Sequence, residues 1–183
     1  MKATEQLKEE HENIRLMLNI LNKICDKLQY RRELNQEHFS KILEFLEVFV
    51  EKCHHGKEEN FLLPVMLEIG VPQDKGPIAF ILMEHKGLRR YFKDFGVAFT
   101  RLQNGDSKAS EQIAENLKKY IMLLSQHIEK ENNIFFPLVD KLLTESKQKD
   151  LAEDFEIFEM EYISAEKHKE LCALSHHLDE IYI

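Results

Sequence analysis

The chain has 183 residues, 43% of them hydrophobic and 32% charged, with a formal net charge of −8. That length makes one domain with a core of its own. The composition excludes a disordered chain, and the acidic balance excludes nucleic acid as a partner.

Six Gly and four Pro suit long helices and are too few for the turns of an all-β fold. The chain opens on MKATEQLKEEH, which lacks the apolar run of a secretory signal. A helix is expected over 3–29, with a seam of Leu7, His11, Ile14, Leu18, Leu21, Cys25 and Leu28. Steps of three and four keep these on one face. A polar, charged break covers 30–35. The next helix, 36–68, carries Phe39, Leu43, Leu46, Val50, His54, Glu58 and Phe61. Gly70-Val71-Pro72 and Gly76-Pro77 then form the sharpest break. The third helix, 77–103, aligns Ile78, Ile81, His85, Leu88, Phe92, Phe95, Phe99 and Leu102. Asn104-Gly105-Asp106-Ser107 is a turn that runs into an N-cap. The fourth helix, 108–143, aligns Ile113, Leu117, Tyr120, Leu124, His127, Glu131, Ile134 and Leu138. After the charged run 144–150 a last helix covers 149–181, with a stripe of Leu151, Phe155, Phe158, Tyr162, Ala165 and Cys172.

These patterns predict an all-α protein. Residues 1–145 form an up-down-up-down four-helix bundle. Residues 146–183 add a C-terminal helix that packs on the bundle or on a partner subunit, the latter making a homodimer. The longest uncharged run, 120–128, has nine residues against about 20 for a membrane span, so no span is expected. Cys25, Cys53 and Cys172 are an odd, sparse set, which suits free thiols in a reducing cytoplasm.

Six polar residues interrupt the apolar seams: His11, His54, Glu58, His85, His127 and Glu131. Polar groups sit at core positions only when something satisfies them. The chain also repeats itself. EEHENIRLML around His11 resembles MEHKGLRRYF around His85, and HHGKEENFLLP resembles HIEKENNIFFP. His54 follows His11 by 43 residues and His127 follows His85 by 42. Counting at a rise of 1.5 Å per residue puts His11 and His54 both about 26 Å from the turn that joins their helices. The second hairpin gives similar counts, so all six residues fall at one level of the bundle.

Each His-x-x-x-Glu puts an imidazole and a carboxylate one turn apart on one face. Four imidazoles and two carboxylates are too many donors for one tetrahedral zinc. They suit two ions of octahedral preference with the carboxylates bridging, iron or manganese rather than the oxygen-seeking calcium. Positions remain for an oxo bridge, water, O₂, peroxide or NO. Without a metal, two buried glutamates among four neutral histidines are costly.

These residues resemble the hemerythrin family, in particular its HHE cation-binding domains, over about residues 5–143. The resemblance rests on His11 in EEHENIR, His54 and Glu58 in HHGKEENFLLP, His85 in EHKGLRR, and His127 and Glu131 in HIEKENNIFFP. It implies a non-haem di-iron centre with an oxo or hydroxo bridge, and Glu58 and Glu131 joining the irons. The oxygen carriers of the family have a second His one turn after the helix-three His, where this chain has Arg89. They also end on an Asp five residues after the helix-four His, where this chain has Glu131 after four. HHE domains are tied to sensing O₂ or iron, to peroxide or NO chemistry, and to iron handling.

The expected function is therefore to bind, sense or reduce a small oxidant (O₂, H₂O₂ or NO). Two other classes stand beside it: an iron store or donor, and a metal-free helical scaffold. The Glu-x-x-His order of ferritin-like sites is absent, which counts against storage. Among neighbouring residues, His55 points about 100° round the helix from His54 and is expected behind the ligands or at the surface, with replacement of His54 as the ligand as the lesser alternative. Glu59 and Glu84 are read as solvated, with orienting a ligand as the lesser alternative, Cys53 and Tyr120 as core residues, and His176-His177 as exposed. His168 and Glu159 are kept as outside candidates for approaching the metals.

Overall fold

The computed structural model describes residues 1–29 and 33–182. Of the expected break at 30–35, residues 30–32 lie outside the described residues, as does Ile183. Six helical rods account for most of the chain, with no strand among the described residues. α1 is Ala3–Gln29. α2 covers 36–68 and α4 covers 109–142, each a continuous rod of α and π turns. α3 is Gly76–Gln103, α5 is Glu145–Tyr162 and α6 is Ala165–Ile181.

Local chemistry sets the ends. Asn35 caps α2 by accepting from the His38 backbone N–H at 3.0 Å, as a short polar side chain does at a helix start. Gly76, at φ 72°, turns the chain in a left-handed conformation open to glycine, and Pro77 fixes the first turn of α3. Before α4, Asp106 Oδ1 accepts from the Lys108 backbone N–H at 3.1 Å.

The four rods alternate in direction, and two apolar clusters show it. One cluster joins the start of α1 (Ala3, Leu7), the end of α2 (Leu62, Met66), the start of α3 (Ile78, Ile81) and the end of α4 (Phe135, Phe136, Val139). The other gathers the opposite ends, with Ile14, Leu18, Phe39, Phe45, Leu88, Phe95, Leu117 and Leu124. Phe39 of α2 meets Phe95 and Phe99 of α3 edge-on. The level between the two clusters is where the seam histidines fall.

The C-terminal segment differs from its expectation. It is two helices, broken at Ile163-Ser164, and Ser164 sits at φ 63° while accepting from the Lys167 backbone N–H. The break ends the stripe: Tyr162 is 70% exposed, and Ala165 is also exposed. Leu151, Phe155 and Phe158 are buried as expected. α5 and α6 both pack along α1, and α5 also touches α2. Among the described residues no helix is long and apolar enough to cross a membrane.

Candidate metal centre

His11, His54, His85, His127, Glu58 and Glu131 are all buried, at 0–1% exposure. α1 carries His11, α2 carries His54 and Glu58, α3 carries His85, and α4 carries His127 and Glu131. The four rods thus bring together all six residues expected from the sequence. His11 Nε2 lies 3.0 Å from His54 Nε2, and His85 Nε2 lies 3.1 Å from His127 Nε2. The carboxylates link the two pairs. Glu131 Oε2 is 3.2 Å from His11 and its Oε1 is 3.0 Å from His127. Glu58 Oε2 is 3.3 Å from His85 and its Oε1 is 3.9 Å from His54. Each carboxylate therefore turns one oxygen to each histidine pair.

A seventh residue joins them. His55 is fully buried and stacks on His85 with ring centroids 3.9 Å apart. One donor atom each from His55, Glu58, His85 and His127 lie within 4.8 Å of one another, as do those of His11, His54 and Glu131. The expectation that His55 stands behind the ligands or at the surface fails for a backbone reason. Leu46–His54 is a π-helical stretch and Glu58–Leu62 is another. A π turn closes from i to i+5 and is wider than an α turn, so consecutive residues stay closer to one face. Both His54 and His55 then point inward. A third π stretch, Glu131–Phe135, shifts the seam of α4. Ile134, expected inside, is 59% exposed, and Phe135 and Phe136 are buried instead.

Every ring is held from behind. The Nδ1–H of His54 donates to Glu10 at 2.8 Å, that of His55 to Glu51 at 3.0 Å and that of His85 to Glu59 at 2.6 Å. His127 donates to Glu84 at 3.1 Å and His11 to the Asn132 side-chain oxygen at 3.0 Å. Ionised carboxylates only accept. In this tautomer each proton sits on Nδ1 and each Nε2 turns its lone pair to the centre, as a metal-bound imidazole does. Glu59 and Glu84, read from the sequence as solvated, are thus ring-orienting residues. The repeat carries a signal for this role: Glu84 and Glu10 each precede a seam histidine. Arg89 replaces the carriers' extra imidazole with a different role. It donates to Glu51 and Glu59, the carboxylates that hold His55 and His85.

The electrostatics agree. Burial pushes Glu10 upward, but His54 and the Lys57 ammonium outweigh it and hold Glu10 down to about 2. Burial is likewise outweighed at Glu59 by His85 and Arg89, which bring it to about 2. Burial and the Glu131 charge together raise Glu58 well above the carboxylate range. Burial lowers His54, His55 and His85, keeping them neutral. At His127 burial is outweighed by the Glu131 and Glu84 carboxylates, which raise the ring to about 10, so its Nε2 proton leaves when a cation takes its place.

The donor set fits a divalent or trivalent cation. All four oxygens of Glu58 and Glu131, and His55 Nε2, are buried without a hydrogen-bond partner. Acceptors turned toward acceptors in a dry core are costly unless a cation lies among them. His168 and Glu159 do not join this cluster. They lie behind it, with Glu10. Cys53 and Tyr120 are buried core residues and His176-His177 are exposed, as expected.

The family model described as hemerythrin HHE cation binding domain matches residues 2–139, and the chain belongs to that family. Similar curated proteins include an uncharacterized protein of Mycobacterium tuberculosis and one of Mycobacterium bovis. Each is 24% identical over 155 residues, covering 84% of this chain and 60% of the relative. The chain thus spans about 60% of the length of the curated relatives it matches. No solved structure matches it.

Proposed function

We propose that the protein holds two non-haem iron ions with a bridging oxo or hydroxo group and that this pair binds or reduces a small oxidant, O₂, H₂O₂ or NO. One observation carries the reading. Five inward imidazole nitrogens surround two carboxylates, each with an oxygen toward both histidine groups. His11 and His54 would hold one ion, His55, His85 and His127 the other, and Glu58 and Glu131 would bridge them. Mixed nitrogen and oxygen donors favour iron, with manganese next. His55 supplies from α2 the third nitrogen that Arg89 does not supply from α3.

When bound, two adjacent ferrous ions supply two electrons to an oxidant. Five nitrogens and four oxygens would be fewer donors than two ions of octahedral preference take, so a small oxidant could bind beside them. Glu10, Glu51, Glu59, Glu84 and Asn132 keep the rings aimed before any ion arrives. Phe136, stacked on His11 at 5.5 Å, and the apolar clusters above and below exclude water. The three free cysteines fit a reducing cytoplasm.

The test is metal content with an absorption spectrum on protein expressed in iron-rich medium. The reading expects about two irons per chain and ligand-to-iron charge-transfer bands, both lost in His54→Ala/His127→Ala. Folded protein that takes up no ferrous iron under anaerobic conditions overturns it. Saturating H₂O₂ turnover that disappears in Glu58→Ala identifies an enzyme; reversible binding of O₂ or NO without turnover identifies a sensor.

A further inference from the structure

The internal repeat extends behind the ligands. Glu10 accepts from His54 and from Lys57; Glu84 accepts from His127 and from Lys130. Residue for residue, Glu10, His54 and Lys57 occupy the places of Glu84, His127 and Lys130. The two halves then part company. The Lys130 side chain is 46% exposed, an ordinary solvated lysine. The Lys57 side chain is 2% exposed, and its Nζ donates a second time, to Glu159 Oε2 of α5 at 2.6 Å. His168 of α6 faces the other Glu159 oxygen at 3.5 Å.

A second observation fixes α5 at this point. Gly56 stands where the second half has Glu129. A Cβ at Gly56 would come 3.0 Å from Phe158 Cζ, so a side chain there would force Phe158 of α5 to give way. Glycine in one half admits the C-terminal hairpin; glutamate in the other faces solvent. The hairpin therefore reaches one histidine pair and not the other.

We propose that Glu159 is a positioning residue for the ion at His11 and His54, acting through Lys57 and Glu10 on the His54 ring. The proposal rests on the metal reading above. A carboxylate behind a ligating imidazole orients it and raises its donor strength. Lys57 draws on that carboxylate, and Glu159 shares the ammonium and so limits the draw. Without Glu159, Lys57 pairs with Glu10 alone, the Glu10···His54 bond weakens, and His54 becomes a poorer ligand. The C-terminal hairpin thus makes the two ion positions inequivalent.

The test uses the full chain, anaerobic titration with ferrous iron, and Mössbauer spectra of ⁵⁷Fe-loaded protein, in which two inequivalent ions give two quadrupole doublets. Glu159→Gln, nearly isosteric and at a partly exposed site, is expected to weaken one ion about tenfold, at the low end for residues behind ligands. It should shift one doublet and leave the other in place. Glu10→Gln should move the same doublet, and Glu84→Gln the other one. The Glu10→Gln/Glu159→Gln double variant should be no weaker than Glu10→Gln alone, because the effect runs through Glu10. Wild-type affinities and doublets in Glu159→Gln overturn the proposal. So do additive effects in the double variant, or equal weakening of both ions. Native protein that takes up no iron removes the metal reading itself, and is told apart because every variant then matches it.

Discussion

His55 lies face to face with His85, ring centroids 3.9 Å apart and planes 23° from parallel. His85 is the only imidazole α3 brings to the centre. Stacking places the His55 Nε2, which has no hydrogen-bond partner, on the side of the His85/His127 pair. Replacing His55 by Leu keeps the volume and removes the nitrogen. We expect His55→Leu to fold, to bind one ion about 10- to 100-fold more weakly, by analogy with other perturbed metal sites, and to shift the absorption bands. Iron stoichiometry and spectra identical to those of the native protein would make His55 a packing residue.

Glu58 opposes folding in the absence of a cation, because burial and the Glu131 charge push its carboxyl up to about 8. Glu58 and Glu131 are both fully buried, and neither carboxylate has a hydrogen-bond partner. Glu58→Gln removes one of two facing acids. The iron-free variant should be more stable than the iron-free native protein by about 1 kcal/mol, the scale of a relieved buried polar group. That shifts Tm upward by about 2–4 °C for a chain of this size. The same variant should fail to hold two irons. Thermal melts in chelator and iron analysis check both halves, and a less stable iron-free variant contradicts the account.

Metal binding to the folded state alone adds to stability by mass action. At free iron 100-fold above Kd the gain is about 2.7 kcal/mol, or roughly 5–11 °C in Tm. Chelation should remove it reversibly under anaerobic conditions. Because α1 to α4 all carry inward donor residues, the effect should reach amides in all four helices by hydrogen exchange, rather than one hairpin.

The spacing of polar residues along the seams makes the bundle and six of the seven inward residues legible. Leu7, His11 and Ile14 need only the α-helical period, and α1 keeps that period from end to end. The period breaks where function sits. Three π stretches lie at or beside His54, Glu58 and Glu131, and a uniform 100° step misplaces residues next to or within them. That is why the α-helical period sends His55 away from the centre and Ile134 into the core. The helix break at Ser164 leaves a weaker trace, because serine fills a left-handed position better suited to glycine. For Glu59 and Glu84 the sequence leaves ligand orientation second to solvation, because a glutamate beside a histidine resembles a surface residue until the fold shows which histidine it backs.

The π shift in α4 gives a direct test. Ile134 is 59% exposed and Phe135 is 1% exposed. Ile134→Lys should change stability by no more than about 0.5 kcal/mol, as surface substitutions do. Phe135→Ala should cost about 3–5 kcal/mol. With an uninterrupted α-helical seam the order would reverse. Urea unfolding of the two variants at one iron concentration decides between them.

The thiols should be inert at neutral pH. Burial raises Cys25 and Cys172 each to about 11, and burial also raises Cys53. The thiolate is the nucleophile, so at pH 8 only about one molecule in a thousand carries a reactive Cys25 or Cys172. Native protein should therefore resist iodoacetamide at pH 8, and all three thiols should label after denaturation. The same shifts link stability to pH. The folded values lie above the ordinary thiol value of 9.0, so the folded state keeps protons that the unfolded state has released. The contribution is fully present below pH 9 and is lost as pH rises toward 11. Mass spectrometry of alkylated protein across pH 7–11 should show labelling rise with unfolding. Fast labelling of native Cys172 at pH 7 would contradict the packing of α6 beside Glu159.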